Sequence, residues 1–315
     1  MFEHLAWVVP SFTGYGRHRG FLARFKHRVF AIDSSTIQLA LNCFDWAKHR
    51  RRKAAAKLHM NLDVGSRLPS LAVVESAAAH DSKRAEALCK GLSAGDIAVA
   101  DRAYTDFGFM RGLDTRGIFF VLRNKQRTRF QVLGSTGKGE LPAGVLADEI
   151  VEPMLVKSRG LCGEMRLRRV RALVEVDGRM RELTFLTNNL EWAPRTVAEL
   201  YRARWEAEIF FKEIKQTCQI RDFVGYNEYA VRWQVWIGLL AHLLLRFMAH
   251  LSKWGLSFSR LAGIVRHTLW LRRDLMQNLF YYGTAGPPGG DGTVRGVVGK
   301  QGFFDFYVET HGTAD

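Results

Sequence analysis

Two short apolar runs in this chain end in an acidic residue: FAIDSST reaches Asp33 and AVADRAY reaches Asp101. Runs of this length and composition read as buried strands, which puts each carboxylate at a strand end. One aspartate in such a place is ordinary as a cap or turn residue. Two on neighbouring strands would meet at one edge of a sheet and repel each other unless a cation neutralised them. Hard cations such as Mg²⁺ or Mn²⁺ prefer oxygen donors, and a pair of them can activate a water or hydroxyl against a phosphodiester. A site of that kind needs a third carboxylate.

The stretch YRARWEAEIFFKEIK, Tyr201 to Lys215, offers one. On a helix turning about 100° per residue, Tyr201, Arg204, Glu208 and Lys215 fall on one narrow stripe flanked by Trp205 and Phe211. Arg202, Glu206 and Glu213 collect on a second polar face and read as solvent-facing. Arg204 and Glu208 are four apart, so an intrahelical salt bridge is the plain reading. Beside Asp33 and Asp101, the stripe reads as a carboxylate bracketed by phosphate-binding groups. His59 and Asp63 share a face of the run AAKLHMNLDV and are further candidates to approach the site, with a structural role the simpler expectation.

Composition points the same way. The 315 residues carry 46 Lys and Arg against 31 Asp and Glu, a formal charge of +15, and a polyanion is the natural partner. Apolar content of 47% is that of a soluble globular protein with a real core. The four cysteines lie far apart and show neither zinc spacing nor a disulfide framework, which fits reduced thiols in a cytoplasmic protein. The N-terminus lacks the pattern of a signal peptide. The apolar run Trp233 to Leu251 contains Gln234, His242 and Arg246, and is expected to be a buried core helix rather than a membrane span.

Three elements must position the aspartates. RVFAIDSST, AAKLHMNLDV and RLPSLAVVESA read as a strand meander. DSKRAEALCKGL reads as a helix, DIAVADRAY as a strand, FGFMRGLDTRG as a short helix and GIFFVLRNK as a strand. A meander followed by parallel crossovers gives a mixed sheet with helices packed on it. RFQVLG, EIVEPMLVKS, MRLRRVRALVEV and RELTFLTNN then read as strands of a β-rich insertion. A long helix from about Thr196 to Thr217 follows, then the apolar helix, then a third from Leu256 to Arg272. The basic run KHRRRKAAAK, Lys48 to Lys57, is expected to be a loop that contacts a nucleic-acid backbone.

On these residues the chain resembles the DDE transposases of bacterial insertion sequences, in the insertion-sequence-4 branch. Tyr201, Arg204, Glu208 and Lys215 fit the branch signature Tyr-x2-Arg-x3-Glu-x6-Lys at every spacing. IDSST is similar to its first-aspartate motif and VADRAYTD to its second, and the resemblance runs from about Val29 to Leu251. It implies an α/β ribonuclease-H-like mixed sheet flanked by helices and interrupted by a β-rich insertion. The segments expected are a short N-terminal piece (1–27), the first part of the catalytic core (28–125), the insertion (126–192), the second part of the core (193–275) and a glycine-rich flexible tail (276–315).

The resemblance further implies that Asp33, Asp101 and Glu208 are catalytic and hold two Mg²⁺ or Mn²⁺ ions. Tyr201, Arg204 and Lys215 would grip DNA phosphates, Arg123 and Lys125 of FVLRNK would touch DNA, and Trp205 could stack on a displaced base. The implied activity is cleavage at transposon ends and strand transfer into target DNA. The implied partners are double-stranded DNA, as inverted-repeat ends and as target, and a second copy in a homodimer on DNA, with no membrane involved. The place would be the bacterial cytoplasm, at the nucleoid. Two departures stand against this. Only about thirty residues precede the first aspartate, where the branch usually has a DNA-recognition region, and the only tryptophan between Lys125 and Tyr201 is Trp192. The rival expectations are a truncated, non-catalytic DNA-binding remnant that regulates transposition, and a stand-alone nuclease.

Overall fold

A computed structural model describes residues 22, 25–39, 48–50, 53–78, 81–125, 127–136, 140–176, 178–218, 220, 223–271 and 274–283. The basic N-terminal stretch up to 21 and the end of the chain from 284 lie outside them.

β1 (Val29–Leu39) pairs antiparallel with β3 (Lys53–Asp63), which pairs antiparallel with β4 (Leu68–Ser76). This is the expected meander. β2 (Lys48–Arg50) forms a hairpin with the start of β3, so most of the expected basic loop is strand. On its other side β1 pairs parallel with β5 (Ile97–Ala100), and β5 pairs parallel with β6 (Phe119–Arg123).

The expected insertion supplies β7 (Phe130–Ser135), β8 (Val145–Pro153), β9 (Leu167–Val176) and β10 (Arg179–Thr187). β10 pairs with β6, so these strands extend the same sheet to ten strands, in the order β2-β3-β1-β5-β6-β10-β9-β8-β7, with β4 also on β3. The run EIVEPMLVKS is strand only to Pro153. Beyond it the chain turns into a helix over Val156–Cys162, which the sequence reading missed.

The helices are α1 (Ala85–Leu88), α2 (Phe107–Thr115), α3 (Val156–Cys162), α4 (Pro194–Ala203), α5 (Trp205–Lys212), α6 (Glu228–Leu251), α7 (Phe258–Thr268) and α8 (Leu275–Gly283). Their starts follow local chemistry. The side chains of Asp106, Asn227 and Ser257 accept backbone N–H groups at the N-termini of α2, α6 and α7, and Pro194 opens α4, where its missing N–H is no loss. α8 occupies the start of the segment expected to be a flexible tail.

Alternation along the strands divides the core into two layers. Val29 and Ala31 of β1 with Val99 of β5 and Val121 of β6 face one side, against Val197 and Leu200 of α4 and Phe210 of α5. Phe30 and Ile32 with Ala100 and Leu122 face the other, against Leu88 of α1 and Met110 of α2. α6 is long and apolar enough to cross a bilayer by length and composition. It packs Val235 and Leu239 into the first layer and Val231 against Ala54 and Ala56, and leaves Tyr229, Trp233 and Ile237 exposed. It is a core helix with one apolar side packed on the sheet and the other exposed.

Candidate active site

Period two decides which acidic side chains can meet. Asp33 continues the Val29–Ala31 side of β1 and Asp101 continues the Ile97–Val99 side of β5, so both lie on the face covered by α4 and α5. Arg123 continues the Phe119–Val121 side of β6, the next parallel strand, and its guanidinium lies 3.7 Å from Asp101 Oδ1.

The helical arm above them is not one regular helix. At Arg204 the bonding tightens: its N–H donates to the Tyr201 carbonyl at 3.1 Å, and Ala207 N–H donates to the Arg204 carbonyl at 2.9 Å. This three-residue spacing separates α4 from α5. From Glu213 to Thr217 the arm widens into a π-turn, closed by Cys218 N–H donating to the Glu213 carbonyl at 3.2 Å. Tyr201, Arg204 and Lys215 reach sheet-side partners, and Glu208 is held beside them through Arg204. The Tyr201 hydroxyl donates to Asp101 Oδ1 at 3.2 Å. Arg204 donates to Asp33 Oδ2 at 2.8 Å and to Glu208 Oε1 at 2.6 Å. Lys215 Nζ donates to the Thr36 carbonyl of β1 at 2.7 Å.

Burial tunes these groups. Asp33 is pushed up to about 6 by desolvation, which Arg204 and the Ser34 N–H only partly offset; Glu208 and Asp101 push the same way as burial. Burial also raises the Tyr201 phenol, whose ring lies 4.8 Å from Phe185 and beneath the Arg204 guanidinium. Desolvation opposes the charge of Arg204, yet the surrounding Tyr201, Asp33 and Glu208 oxygens outweigh it and hold the guanidinium protonated.

The arrangement is thus a cation held between carboxylates. Among the described residues no three acidic, His or Cys side chains converge tightly enough to hold a metal ion, because Arg204 stands between Asp33 and Glu208. The oxygen donors themselves, Asp33, Asp101 and Glu208, are of the kind that suits a hard divalent cation. The remaining expected contacts are mixed. Trp205 is half-exposed beside the site. Lys125 Nζ donates to the Thr105 carbonyl at 2.7 Å, so it braces the loop after β5. Trp192 packs edge-on against Phe25 and beside Phe119.

His59 and Asp63 take the structural roles that were the simpler expectation, and the solvent-facing reading of Glu213 fails. His59 lies on the opposite face of the sheet from Asp33, since β3 turns Leu58 and Met60 toward α4 and α5 and His59 away. There it meets Glu75 at 3.0 Å and Asp81 at 3.5 Å, and burial lowers its pKa. Asp63 accepts the N–H groups of Gly65 and Ser66 and caps the β3–β4 turn. Glu213 is not solvent-facing. It accepts from Arg246 at 2.6 and 2.7 Å and lies 2.9 Å from His242 Nε2, which anchors the π-turn to α6. The helical wheel missed this because the π-turn rotates Glu213 inward.

The transposase DDE domain family matches residues 24–244 of the chain. A protein named as a transposase, y4zB, of Sinorhizobium fredii (strain NBRC 101917 / NGR234) is 29% identical over 246 residues, covering 78% of this chain and 67% of that protein. A probable transposase for insertion sequence element IS5377 of Geobacillus stearothermophilus is 25% identical over 230 residues, covering 73% of this chain and 59% of that protein. The chain likewise spans 60% of a transposase for insertion sequence element IS4SA of Synechocystis sp. (strain ATCC 27184 / PCC 6803 / Kazusa), at 20% identity. Among solved structures, a piggyBac transposase synaptic complex with hairpin DNA aligns at a TM-score of 0.46 and 12% identity, over 84% of this chain and 59% of that one. By the extent of the family match, this chain belongs to the transposase DDE domain family.

Proposed function

We propose that the chain carries the catalytic core of a DNA transposase that cuts phosphodiesters at transposon ends and joins them to target DNA. The observation that carries this reading is the meeting of Asp33 and Asp101 with Tyr201, Arg204 and Glu208 at one sheet edge. Strand order and direction support a ribonuclease-H-like core. An antiparallel β4-β3-β1 meander continues into parallel β5 and β6, with Asp33 inside β1 just past its last pairing with β5 and Asp101 directly after β5. The signature spacing supports the insertion-sequence-4 branch. The division into a core split by residues 126–192, action as a homodimer on double-stranded DNA, and a place at the bacterial nucleoid belong to the same proposal.

In this reading Asp33, Asp101 and Glu208 would hold Mg²⁺ or Mn²⁺. Divalent cations, when bound, supply a more acidic attacking water or hydroxyl and neutralise charge on the phosphate. The chain's own residues do the rest. Arg204 keeps the carboxylates together before DNA arrives, then exchanges them for a phosphate oxygen, a partner its fork fits equally well. The Tyr201 hydroxyl and Lys215 set the register of the strand, and Arg123 adds positive charge beside Asp101.

The test is incubation of the protein with linear DNA bearing the element's inverted repeats, with Mg²⁺ or Mn²⁺. Nicks at the repeat ends followed by joined products are expected. Asp101→Ala should abolish both and leave DNA binding intact. Binding without cutting in either metal would favour a regulatory remnant, and cutting without joining a nuclease.

A further inference from the structure

Asp33 is held at both oxygens. Oδ2 accepts from Arg204 at 2.8 Å, and Oδ1 accepts from the Ser34 N–H at 2.8 Å. Strand register makes that N–H available. The even residues of β1 direct their backbone groups toward β5, as the 2.9 Å bond from Ile97 N–H to the Arg28 carbonyl shows. The last pairing of β5 with β1 is Ala100 opposite Ile32, so at Ser34 this side of β1 has run past its neighbour. The N–H turns to the carboxylate of the preceding residue instead.

The Ser34 side chain points to the other face of the sheet. There its hydroxyl donates at 2.7 Å to Oδ1 of Asp81, in the short helical turn Asp81–Lys83. Lys57 Nζ lies 3.2 Å from the same oxygen, and His59 Nδ1 faces it at 3.5 Å. Ser34 pairs with His59 across β1 and β3, and Lys57 pairs with Glu75 across β3 and β4. Parity therefore puts all four on one face, opposite Asp33. Glu75 lies 3.0 Å from His59 Nε2 and is gripped by Arg84.

The turn after the second aspartate reaches the same place. Tyr104, in the short helical turn Arg102–Tyr104, is buried with its hydroxyl beside Ser34 and Asp81. Burial pushes that phenol well above its ordinary range, so it stays protonated. A buried polar network of this kind is costly to build and rigid once satisfied. It joins the acidic centre through Ser34, whose hydroxyl is on one face and whose N–H reaches the other.

We propose that Ser34 and Asp81 are positioning residues for the cleavage reaction: their hydrogen bond fixes the Ser34 backbone, and the Ser34 N–H thereby fixes the Asp33 carboxylate. The inference rests on the DNA-cleaving reading above and adds what holds Asp33 once Arg204 turns to a phosphate. Arg204 then releases Oδ2, and the Ser34 N–H keeps Oδ1 in place.

The test pairs amide hydrogen exchange, which needs neither metal nor DNA, with the nicking assay. Exchange at position 34 of the full chain is followed by NMR in Asp81→Ala and in Ser34→Ala, with the amides of β6 as internal reference. The amide at position 34 should exchange at least about tenfold faster than in the wild type, while the β6 amides keep their rates. Both variants should cut roughly tenfold to hundredfold more slowly, the usual loss when a partner of a metal-holding side chain is removed. Their DNA affinity, read by fluorescence anisotropy, should not change. Ser34→Thr keeps the hydroxyl and should restore most of the cutting. Faster exchange at every amide alike would mean a general loosening and overturn the proposal. Wild-type cutting in Ser34→Ala would overturn it too, as would Ser34→Thr cutting no better than Ser34→Ala. The two readings fail separately. A position-34 amide that loosens selectively in a protein that never cuts would sink the cleavage reading and leave the anchor of Asp33 standing. Cutting that ignores both substitutions would do the reverse.

Discussion

Two arginines in this molecule each bind carboxylate at close range, and their surroundings set them apart. Arg168 of β9 is fully buried and grips Asp148 of β8 through two parallel bonds of 2.6 and 2.7 Å. Its remaining NH1 donates to the carbonyls of Asn189 (3.2 Å) and Trp192 (2.7 Å), and Thr136 donates to the same Asp148 carboxylate. Arg204 instead splits its fork between Asp33 and Glu208, and its buried Nε has no hydrogen-bond partner. Glu208 remains 39% exposed. The first pair is closed, with every donor matched and water excluded. The second is open on one side and leaves a donor unmatched, as suits a group that must exchange partners. Similar chemistry makes a saturated clamp in one place and an open, partly exposed cluster in the other, and the difference lies in saturation and exposure.

The sharpest way to break this contrast is to remove charge from each side. Glu208→Gln should lower DNA cutting by at least ~10³-fold, about 4 kcal/mol of barrier, because a carboxamide binds a hard cation poorly. Its stability should stay within about 0.5 kcal/mol of the wild type, as expected for a partly exposed side chain. Nicking assays beside thermal melts would check both. Retained cutting would remove Glu208 from the chemistry.

Arg168→Ala should do the opposite. Leaving Asp148 buried without its partner costs about 3–5 kcal/mol, read from the midpoint of urea unfolding. Cutting per folded molecule should change little. A selective loss of cutting in a stable Arg168→Ala protein would erase the distinction between clamp and site.

The sequence makes one side of this contrast legible and hides the other. Asp33 and Asp101 stood out because continuous apolar runs mark buried strands; the change to polar residues marks the end of β5 before Asp101 but not of β1, which runs on to Leu39 with Asp33 inside it. Tyr201, Arg204, Glu208 and Lys215 could be found because helical spacing is local. The strands of 126–192 were readable as strands but not as part of the main sheet, since the pairing of β10 with β6 is made by residues about 60 apart in sequence. Arg168 looked like one basic residue in MRLRRVRALVEV, and only the β8–β9 register, which sets it across from Ile150, brings Asp148 two residues along β8 within its reach. Glu213 was misread for a different reason: a regular wheel cannot anticipate a π-turn, and its partners lie on α6. The orientation of His59 followed from strand parity and the register to β1, which local pattern leaves open.

Glu213 sharpens the comparison at a smaller scale, as a clamp adjoining the site. Burial works against its ionisation, but His242 and Arg246 outweigh this and hold its carboxyl below the usual range. A lowered folded-state pKa contributes stability above the unfolded value of 4.5, and that stability is lost as pH falls through the folded value. Glu213→Gln should therefore cost about 2–3 kcal/mol at pH 7, the range of hydrogen bonds to charged groups. The gap to the wild type should close as the solution is acidified below pH 4.5. A gap that persists in acid would mean that packing around the π-turn, and not charge, anchors it.

Asp33 should behave with the opposite sign. Its carboxyl is raised from 3.8 to about 6, so in the metal-free protein the protonated form is the one that folding favours. That contribution is fully present below 3.8 and is lost as pH rises through 6. Asp33→Asn carries no titrating group there, so its stability relative to the wild type should increase between pH 4 and pH 7, by about 1–2 kcal/mol once the coupling to Arg204 is allowed for. Added Mg²⁺ should shrink the difference by stabilising only the wild type. The sign follows from what an open site requires. A carboxylate left under-compensated by its own arginine weakens the empty fold and is ready for a second cation. If Asp33→Asn instead destabilised the protein more at pH 7 than at pH 4, Asp33 would belong with the clamps, and the open half of the comparison would rest on Glu208 alone.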